Sequence, residues 1–320
     1  MTTIDVFNGD ADGICALVQL RLNEPKEAQL VTGIKRDIKL LERVDVAPED
    51  EVTVLDISMA KNSDEMNRVL EQGASVFYVD HHMPGEIPRH PRLTAIIDTD
   101  PNTCTSLLVD NHLQGRYRAW AVTAAFGDNM TASAEEGAKV LNITADELEQ
   151  LKLLGICINY NGYGSCIEDL HFAPDELYRE LVRYTSPFDF IGDSQSVFEK
   201  LRDGYLGDMA SAQEIEAEHI NDSIAVVILP DEAWSRRISG VYGNQLANEH
   251  PDRAHAILSY NRHGGYLVSV RAPLNNKTGA DELCSSFASG GGRKGAAGIN
   301  HLPMEELHTF IERFSTRYSN

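Results

Sequence analysis

Acidic residues and histidines with the spacing of metal ligands occur at two places in the first hundred residues. Asp10 and Asp12 form one pair, and Asp80-His81-His82 form a consecutive triplet. Each cluster follows a short apolar run, residues 3–7 and 75–79, of the kind that predicts a β-strand. Parallel strands end at the same edge of a sheet, where open α/β proteins bind their ligands. The two clusters are therefore predicted to meet at one site.

Two further carboxylates fit the same site. Asp56 ends the run Val54-Leu55-Asp56, and Asp128 follows the apolar stretch of residues 119–126. Carboxylates combined with imidazole suit paired divalent ions such as Mn²⁺. Two ions about 3.5 to 4 Å apart can hold a hydroxide and stabilise the attacking and leaving oxygens of phosphoryl transfer. Phosphoester hydrolysis is the natural chemistry of such a cluster.

A purely structural explanation exists for each residue. Asp10 and Asp12 would be turn or helix-cap residues, and Asp56 a cap at the end of a strand. His81 and His82 would be surface imidazoles. Each explanation is reasonable for one motif alone, whereas their common position at predicted strand ends favours a metal site. If the chain is still extended after the first strand, Asp10 and Asp12 point the same way.

The elements that must position these residues follow the rhythm of a doubly wound sheet. Over the first 130 residues, amphipathic stretches alternate with β-like runs at residues 3–7, 29–33, 52–55, 75–79 and 93–97. Residues 117–220 are predicted to be mainly helical, with a capping box at Thr144 and Glu147. The acidic stretch from Asp208 to His219 predicts a solvated helix leading out of the first domain.

A new β pattern begins with the apolar run of residues 224–229. A strand pair over 254–260 and 266–270 and a helix over 304–314 follow it. We predict the α/β fold class. A doubly wound, mainly parallel sheet domain with a helical extension spans residues 1–190, a helical linker spans 191–222, and a smaller C-terminal α/β domain spans 223–320. The active-site cleft is predicted between the two domains.

Charge and composition limit the partners. The formal charge is -21, and residues 221–320 hold ten Lys plus Arg and ten Asp plus Glu, so all of the acidic excess lies in residues 1–220. Long nucleic acids need many Lys and Arg contacts to phosphate, so a nucleotide ligand should be short. No apolar run approaches the roughly 20 residues of a membrane span, and no secretory signal is apparent. We expect a cytoplasmic protein without membrane partners, whose five widely spaced cysteines are mostly buried thiols.

In combination, these motifs resemble those of the DHH phosphoesterases. Asp10-Ala11-Asp12 is similar to motif one, Asp56 to motif two, Asp80-His81-His82 to the motif that names the family, and Asp128 to motif four. The segment Gly290-Gly-Gly-Arg-Lys-Gly-Ala-Ala-Gly298 is similar to the glycine-rich signature of the type 1 DHH-associated domain. The resemblance thus extends over nearly the whole chain.

The resemblance implies a site for two Mn²⁺ ions, for which Mg²⁺ or Co²⁺ could substitute. Asp10 and Asp12 would each bind one ion, Asp56 would bridge the two, and His81 and Asp128 would bind the second. Catalytic roles are implied for the bridging Asp56 and for the other two residues of the triplet. His82 would face the phosphate, and Asp80 would orient an imidazole, as carboxylates near metal-bound histidines do.

The sequence departs from the family pattern at two places. Family members commonly carry a histidine two or four residues before the first Asp of motif one, where this chain has Asn8 and Val6. The first ion is therefore expected to be held more weakly, with the Asn8 oxygen or water completing its ligands. The glycine signature usually continues with histidine, where this chain has Arg293. We therefore expect different substrate contacts.

Substrate-binding residues are predicted in the second domain. A run of glycines lets the backbone approach a ligand, and its N–H groups can line an anion site. Arg271 stands where related proteins have a phosphate-binding arginine, and a polar loop follows it. The predicted set is Arg271, Asn275, Lys277, Gly290, Gly291, Gly292, Arg293 and Lys294. The alternative is a flexible glycine turn with solvated charges.

Two other segments have open interpretations. Lys35-Arg36 follows the second β-like run and could reach the site, but a surface pair is at least as good an explanation, so neither is included among the site residues. Residues 159–164 carry two tyrosines that could stack on a base or form a turn over the sheet edge.

The hypothesis from the sequence is a Mn²⁺-dependent phosphodiesterase of the nanoRNase or oligoribonuclease kind. It would hydrolyse short linear oligonucleotides or dinucleotides such as pGpG, a product of cyclic di-GMP signalling, to mononucleotides. The alternatives are a phosphohydrolase acting on cyclic dinucleotides or nucleoside bisphosphates, and a catalytically weak nucleotide-binding regulator. The absence of the motif-one histidine and the presence of Arg293 motivate the regulator hypothesis. A homodimer is expected because relatives often form one.

Overall fold

The computed structural model describes residues 1–193 and 195–318. The chain forms two units, Met1–Gly162 with Cys166–Arg202, and Tyr163–Ser165 with Asp203–Asn320. The limits 1–190, 191–222 and 223–320 stay a prediction, and residues 194, 319 and 320 of those ranges lie outside the described residues.

A parallel sheet forms the centre of the first unit. The strands are β1 (Thr3–Phe7), β2 (Gln29–Val31), β3 (Glu51–Leu55), β4 (Ser75–Asp80) and β5 (Leu93–Ile97). In the described residues their order in the sheet is β2-β1-β3-β4-β5, and Val54 lies opposite both Val6 and Tyr78. The central strands are buried on both faces, which explains their nearly continuous apolar sequences. The predicted doubly wound, mainly parallel sheet is confirmed.

Helices surround and extend this sheet. The predicted capping box is present, because the Glu147 side chain accepts from the Thr144 N–H at 2.7 Å and the Thr144 hydroxyl accepts from the Glu147 N–H at 3.2 Å. The helices are α1 (Ala11–Asn23), α2 (Ser63–Glu71), α3 (Thr105–His112), α4 (Arg118–Gly127), α5 (Thr131–Ala138), α6 (Ala145–Gly162), α7 (Pro174–Leu181), α8 (Pro187–Asp193) and α9 (Gln195–Gln213). The division between the units falls within α9.

Helices α4 and α6 cross at two glycines. A Cβ atom at Gly155 would overlap the carbonyl oxygen of Thr123, and one at Gly127 would lie 2.7 Å from the carbonyl oxygen of Gly155. Only hydrogen at these two positions lets the backbones approach so closely. Because Asp128 caps the C-terminus of α4, this crossing also fixes the position of that carboxylate.

The second unit contains a mixed sheet and three complete α-helices within its described part. The elements are β6 (His219–Ile220), β7 (Ile224–Ile228), α10 (Ala233–Glu249), β8 (Ala254–Tyr260), β9 (Gly265–Arg271), α11 (Ala280–Ser285), β10 (Gly290–Gly292), β11 (Ala296–Pro303) and α12 (Leu307–Tyr318). The strand order is β10-β11-β9-β8-β7-β6, and neighbouring strands are antiparallel except β7 and β8, which are parallel. The predicted second α/β domain is confirmed as a fold, and its closing helix begins at Met304, as a 3₁₀ turn over Met304–Glu306 that continues directly into α12.

The predicted solvated helix from Asp208 to His219 is correct for a helix at residues 208–213 and wrong for its extent and for the exposure of Asp208. Helix α9 ends at Gln213, and His219 begins the short strand β6. Asp208 is 9% exposed, and its carboxylate accepts a hydrogen bond from Arg237 Nε at 2.9 Å. A partner 29 residues away along the chain therefore buries an acidic residue that the local sequence places in solvent.

Two simpler predictions concern the cysteines and the membrane. The cysteines form no disulfide in the described part of the chain, and four of the five are buried, Cys166 being the exception. No helix among residues 1–193 and 195–318 combines the length and the apolar character that a bilayer span requires.

Strand β8 buries a histidine whose protonation opposes folding. His255 is 1% exposed, and neither of its ring nitrogens has a hydrogen-bond partner among the residues that the structure describes. Burial, then the charges of Arg253 and His250, lower the pKa of His255 to about 4. The unfolded chain binds this proton near pH 6.5, so between about pH 6.5 and 4 the unfolded state carries more protons and stability falls as the pH falls.

We expect this single group to remove on the order of 2 to 3 kcal/mol of stability between pH 7 and pH 4. Urea unfolding curves at several pH values should show a flatter pH dependence for His255→Gln, which cannot titrate, than for the wild type. The exposed His308 is the control, and His308→Gln should keep the wild-type dependence. Equal slopes for His255→Gln and the wild type would contradict the assignment.

Candidate metal centre

Asp10 lies at the junction of β1 and α1. It is the N-cap of α1, and its Oδ1 accepts hydrogen bonds from the N–H groups of Asp12 and Gly13, both at 3.0 Å. Asp12 already belongs to the first turn of the helix. The expectation that an extended chain points both aspartates the same way is therefore wrong, and the two carboxylates meet different partners.

The carboxylate of Asp12 reaches the N-terminus of α3. Its Oδ1 accepts from the Ser106 N–H at 2.7 Å, and its Oδ2 accepts from the Thr105 N–H at 2.8 Å. Burial raises the pKa of Asp12, and the neighbouring Asp128 and Asp10 act in the same direction, while His81 opposes them. The helix N-terminus orients this buried carboxylate, and a bound cation would favour its ionised form.

Asp56 follows β3 with a backbone φ of 58°. Aspartate tolerates this left-handed conformation better than most residues. Its N–H donates to the Val79 carbonyl at 3.1 Å, and its Oδ1 accepts from the Thr105 hydroxyl at 3.3 Å. Burial, followed by repulsion from the surrounding aspartates, holds the pKa of Asp56 well above its usual range. The carboxylate is therefore placed where a nearby cation would stabilise its charge.

One ring nitrogen of His81 is hydrogen-bonded to the backbone, and the other faces three carboxylates. Its Nδ1 lies 2.9 Å from the Thr103 carbonyl oxygen, which can only accept, so Nδ1 carries the hydrogen. Its Nε2 lies 3.4 Å from Asp56 Oδ1, 3.8 Å from Asp12 Oδ2 and 3.9 Å from Asp128 Oδ2. These separations are too long for good hydrogen bonds. A lone pair facing three carboxylates suits a shared cation, and this donor set fits a divalent metal.

His82 is oriented by Asp80. Its Nδ1 donates to Asp80 Oδ1 at 2.7 Å, and its side chain is 32% exposed. Burial alone would raise the pKa of Asp80, but the hydrogen bond and the charge of His82, together with His81, lower it. The arrangement matches a carboxylate that fixes an imidazole, and it leaves Nε2 of His82 on the side away from Asp80.

Two overlapping groups of side chains could hold a metal ion. One consists of Asp12, His81 and Asp128, the other of Asp56, His81 and His82, with the candidate ligand atoms of each group within 4.8 Å of one another. Oxygen and imidazole donors together suit Mn²⁺ and related ions. Asp10 belongs to neither group in the described chain. The structure thus brings the four predicted motifs together, with Asp10 next to these groups and paired with Lys35.

Lys35 is the site residue that the sequence interpretation left out. Its Nζ forms an ion pair with Asp10 Oδ2, lies 3.2 Å from Asp128 Oδ1, and donates to Asn159 Oδ1 at 2.9 Å. Its backbone N–H also donates to the Gly162 carbonyl at 2.8 Å. The only sequence signal for Lys35 was its position after β2. That position did not show whether the side chain reaches the site or lies on the surface.

In the segment of residues 159–164, the interpretation as a turn is wrong for residues 159–162, and the stacking of its tyrosines on a base stays a prediction. Residues 159–162 form the buried end of α6 rather than a turn, and Asn159 contacts Lys35 there. Tyr163 belongs to the second unit, where its hydroxyl accepts from Arg271 at 3.4 Å.

The guanidinium of Arg271 is held by neutral groups. Its Nε donates to Asn244 Oδ1 at 2.5 Å, and its other nitrogens donate to the Ser269 hydroxyl at 3.0 Å and the Gly240 carbonyl at 3.2 Å. No carboxylate pairs with it among the described residues. Val270 and Tyr163 accept from the remaining N–H groups, so all five donors have neutral partners and an anion would bind by replacing some of them.

The other predicted substrate residues gather around the end of β9. Arg271 pairs with Ala296 of β11, and the glycine run forms the edge strand β10 beside β11 rather than a loop. Gly292 has a φ of 144°, which favours glycine. Lys277, Arg293 and Lys294 are exposed, whereas the Asn275 side chain donates to Asp252 at 2.7 Å.

The strand order and the acidic sheet edge define the class of protein. In order 2-1-3-4-5, the direction of winding reverses between β1 and β3, and ligands bind at such a point. Asp10, Asp12 and Asp56 follow these two strands, and the triplet follows β4. No family model matches the chain, and no curated protein matches its sequence. Solved structures establish instead that the chain has the fold of the DHH-domain proteins.

Three of these structures illustrate the likeness. The DHH domain of a member of the s1p family of ribosomal proteins has a TM-score of 0.64 and 14% identity, over 98% of this chain and 86% of that chain. RecJ from Thermus thermophilus in complex with Mn²⁺ has a TM-score of 0.61 and 18% identity, over 98% of this chain and 51% of that chain. The pGpG-specific phosphodiesterase PggH from Vibrio cholerae has a TM-score of 0.54 and 15% identity, over 99% and 98%.

These likenesses confirm, for the fold, the resemblance that the motifs predict. They extend over both units of the chain, which spans about half the length of the Thermus RecJ. At these identities they establish the architecture alone.

Proposed function

We propose that this protein is a divalent-metal-dependent phosphodiesterase that hydrolyses short linear oligonucleotides or dinucleotides, such as pGpG, to mononucleotides. The observation that carries the proposal is the environment of His81. Its Nδ1 is committed to the Thr103 carbonyl, and its Nε2 faces Asp12, Asp56 and Asp128. Three carboxylates so close together raise the electrostatic free energy of the folded protein, and a bound cation would remove this repulsion.

Asp12, Asp56, His81 and Asp128 would hold the metal. When bound, a divalent ion activates water as a nucleophile and polarises a phosphoryl oxygen. Asp80 orients His82 and would stabilise its imidazolium form, in which Nε2 would donate to a phosphate oxygen or to the leaving oxygen. Thr105 and Ser106 hold Asp12 in place through their N–H groups. The resemblance implies two ions, of which Asp10 would bind one.

Similar structures support the proposed chemistry. The Thermus RecJ structure is a complex with Mn²⁺, and PggH is a pGpG-specific phosphodiesterase. Mn²⁺ is accordingly the proposed metal, with Mg²⁺ or Co²⁺ as substitutes. A nanoRNase role in cyclic di-GMP signalling, a cytoplasmic location and a homodimer are further parts of the proposal.

The second unit is proposed to supply the substrate contacts. Arg271, with its neutral partners, would bind a phosphate, and the exposed Lys277, Arg293 and Lys294 would add positive charge near it. The balanced charge of residues 221–320 suits a short anionic ligand better than a long one.

Arg271→Ala is expected to raise KM by about 10- to 100-fold with little change in kcat, because a charged hydrogen-bonding partner of the substrate is worth roughly 1.5 to 3 kcal/mol. Steady-state kinetics with pGpG would measure this effect. Arg313→Ala is the matched control, since that guanidinium contacts Ser286 and Phe287. An unchanged KM for Arg271→Ala would count against its role.

The proposed reaction is tested directly by its products. The purified protein is incubated with Mn²⁺ and, separately, pGpG, a pentanucleotide RNA, cyclic di-GMP and 3′-phosphoadenosine 5′-phosphate, and the products are resolved by chromatography. Conversion of pGpG to mononucleotide is the expected result, and chelation should abolish it. Cleavage of cyclic di-GMP or the bisphosphate alone would assign the alternative phosphohydrolase activity.

A nucleotide-binding regulator with weak catalysis is the second candidate. The contact of Lys35 with Asp10 and Asp128 favours it, since an ammonium group there neutralises two carboxylates without activating water. Binding of pGpG without any Mn²⁺-dependent product would support this function over the first.

A further inference from the structure

We propose that the ammonium group of Lys35 takes the place of one divalent ion. The centre would then bind one ion, at Asp12, Asp56, His81 and Asp128, with Lys35 as the second positive group. This inference rests on the proposed function only in assuming that the centre binds a metal. The motif resemblance does not include Lys35 and implies two ions, whereas this inference assigns Lys35 a role and predicts one ion.

Both oxygens of Asp10 are already engaged. Oδ1 accepts the N–H groups of Asp12 and Gly13 as the cap of α1, and Oδ2 pairs with Lys35. An N-cap carboxylate contributes to helix stability as well as to local charge. Asp10 therefore has partners within the chain at both oxygens, and the ammonium group of Lys35 balances its charge.

Lys35 is held in this position by its surroundings. Its Nζ contacts Asn159 Oδ1 at 2.9 Å as well as two carboxylates, and its N–H donates to the Gly162 carbonyl. On the other side, the Asn8 amide donates to the Lys35 carbonyl at 3.2 Å. The side chain is 23% exposed, compared with 63% for Lys39 four residues later. The ammonium group is thus a built part of the centre rather than a solvated charge.

The charge distribution of the centre is uneven. Asp10 and Asp128 share the ammonium group of Lys35. Asp12 and Asp56 have no Lys or Arg partner in the described chain, and they contact N–H groups, a hydroxyl and the two histidines instead. Uncompensated buried carboxylates are costly, so the side of Asp12 and Asp56 is where a divalent ion is needed. Asp128 lies between the two cations and can serve both.

The test is the number of Mn²⁺ ions that bind per chain. The full-length protein is stripped with chelator and equilibrated with Mn²⁺ by dialysis, and bound manganese is measured by elemental analysis. Electron paramagnetic resonance then distinguishes a magnetically isolated ion from an exchange-coupled pair. We expect one isolated ion per wild-type chain.

Variants of Lys35 test its role without relying on turnover. Lys35→Ala should bind a second ion and give the spectrum of a coupled pair, because Asp10 and Asp128 lose their cation. Lys35→Arg keeps the charge and should bind one ion. Lys39→Ala removes a surface cation paired with Glu42 and should behave as the wild type. Circular dichroism verifies that each variant is folded.

Two coupled ions in the wild-type protein would overturn the inference and leave the proposed reaction standing. One ion in both the wild type and a folded Lys35→Ala would also overturn it, since the ammonium group would not be what excludes the second ion. One ion in the wild type, two in Lys35→Ala and no cleavage of any substrate would support the inference and refute the proposed reaction. If Lys35→Ala does not fold, Lys35→Met, which keeps most of the aliphatic stem and removes the charge, makes the same comparison.

Discussion

Asp56→Asn is expected to lower kcat of the Mn²⁺-loaded protein by roughly a thousandfold or more, about 4 kcal/mol of transition-state stabilisation. Asparagine keeps the size of the side chain and tolerates the φ of 58° at this position. The substitution therefore removes a charge and a metal ligand with little change in shape. Initial rates of pGpG hydrolysis at saturating Mn²⁺ would measure the loss.

The same substitution should stabilise the metal-free protein, because it removes a buried carboxylate that its aspartate neighbours repel. Burial and the surrounding aspartates raise the pKa of Asp56 in the folded state. Above the unfolded value of about 3.9, the folded state binds more protons than the unfolded state, so wild-type stability falls as the pH rises through this range. Urea unfolding in the presence of chelator at pH 5 and pH 8 should show the larger gain at pH 8.

A control separates these effects from the general consequences of losing a carboxylate. Asp45→Asn makes the same chemical change at an exposed position and should alter neither rate nor stability. Loss of activity with gain of metal-free stability identifies a residue kept for function at a cost to the fold. If Asp56→Asn were less stable without metal and still active, Asp56 would be a structural cap.

The second large effect is expected for Gly155→Ala, which should destabilise the first unit by about 3 kcal/mol. The new methyl group would overlap the Thr123 carbonyl, so α4 and α6 would have to separate. Helix propensity alone predicts the opposite sign, a gain of up to about 1 kcal/mol. Urea or thermal unfolding of the purified variant would measure the change.

Gly207→Ala is the matched control, because a Cβ at Gly207 in α9 meets no atom within 4 Å. The same substitution in another helix should therefore leave stability unchanged or raise it. Gly155→Ala should also weaken Mn²⁺ binding, since Asp128 caps α4 and Asn159 lies in α6. Wild-type stability and Mn²⁺ affinity in Gly155→Ala would contradict the described helix crossing.

The sequence by itself determined the strands and the place where they end. The runs at residues 93–97 and 254–260 coincide with β5 and β8, because alternating or continuous apolar residues report burial over a few positions. The same apolar pattern predicts where β3 and β4 end, and it therefore places Asp56 and the triplet of residues 80–82 at strand ends. The carboxyl ends of parallel strands share one edge, so local patterns were sufficient to predict that these motifs meet.

Tertiary structure alone decided which partner each charged group has. The ion pair of Lys35 with Asp128 joins residues 93 positions apart, and the N–H groups that hold Asp12 are as distant along the chain. The burial of Asp208 likewise depends on Arg237. The local sequence around a charged side chain on a loop or helix end does not show whether that side chain is exposed to solvent or paired with a carboxylate far away in the chain. Only the packing of helices and loops around the sheet edge distinguishes the two cases.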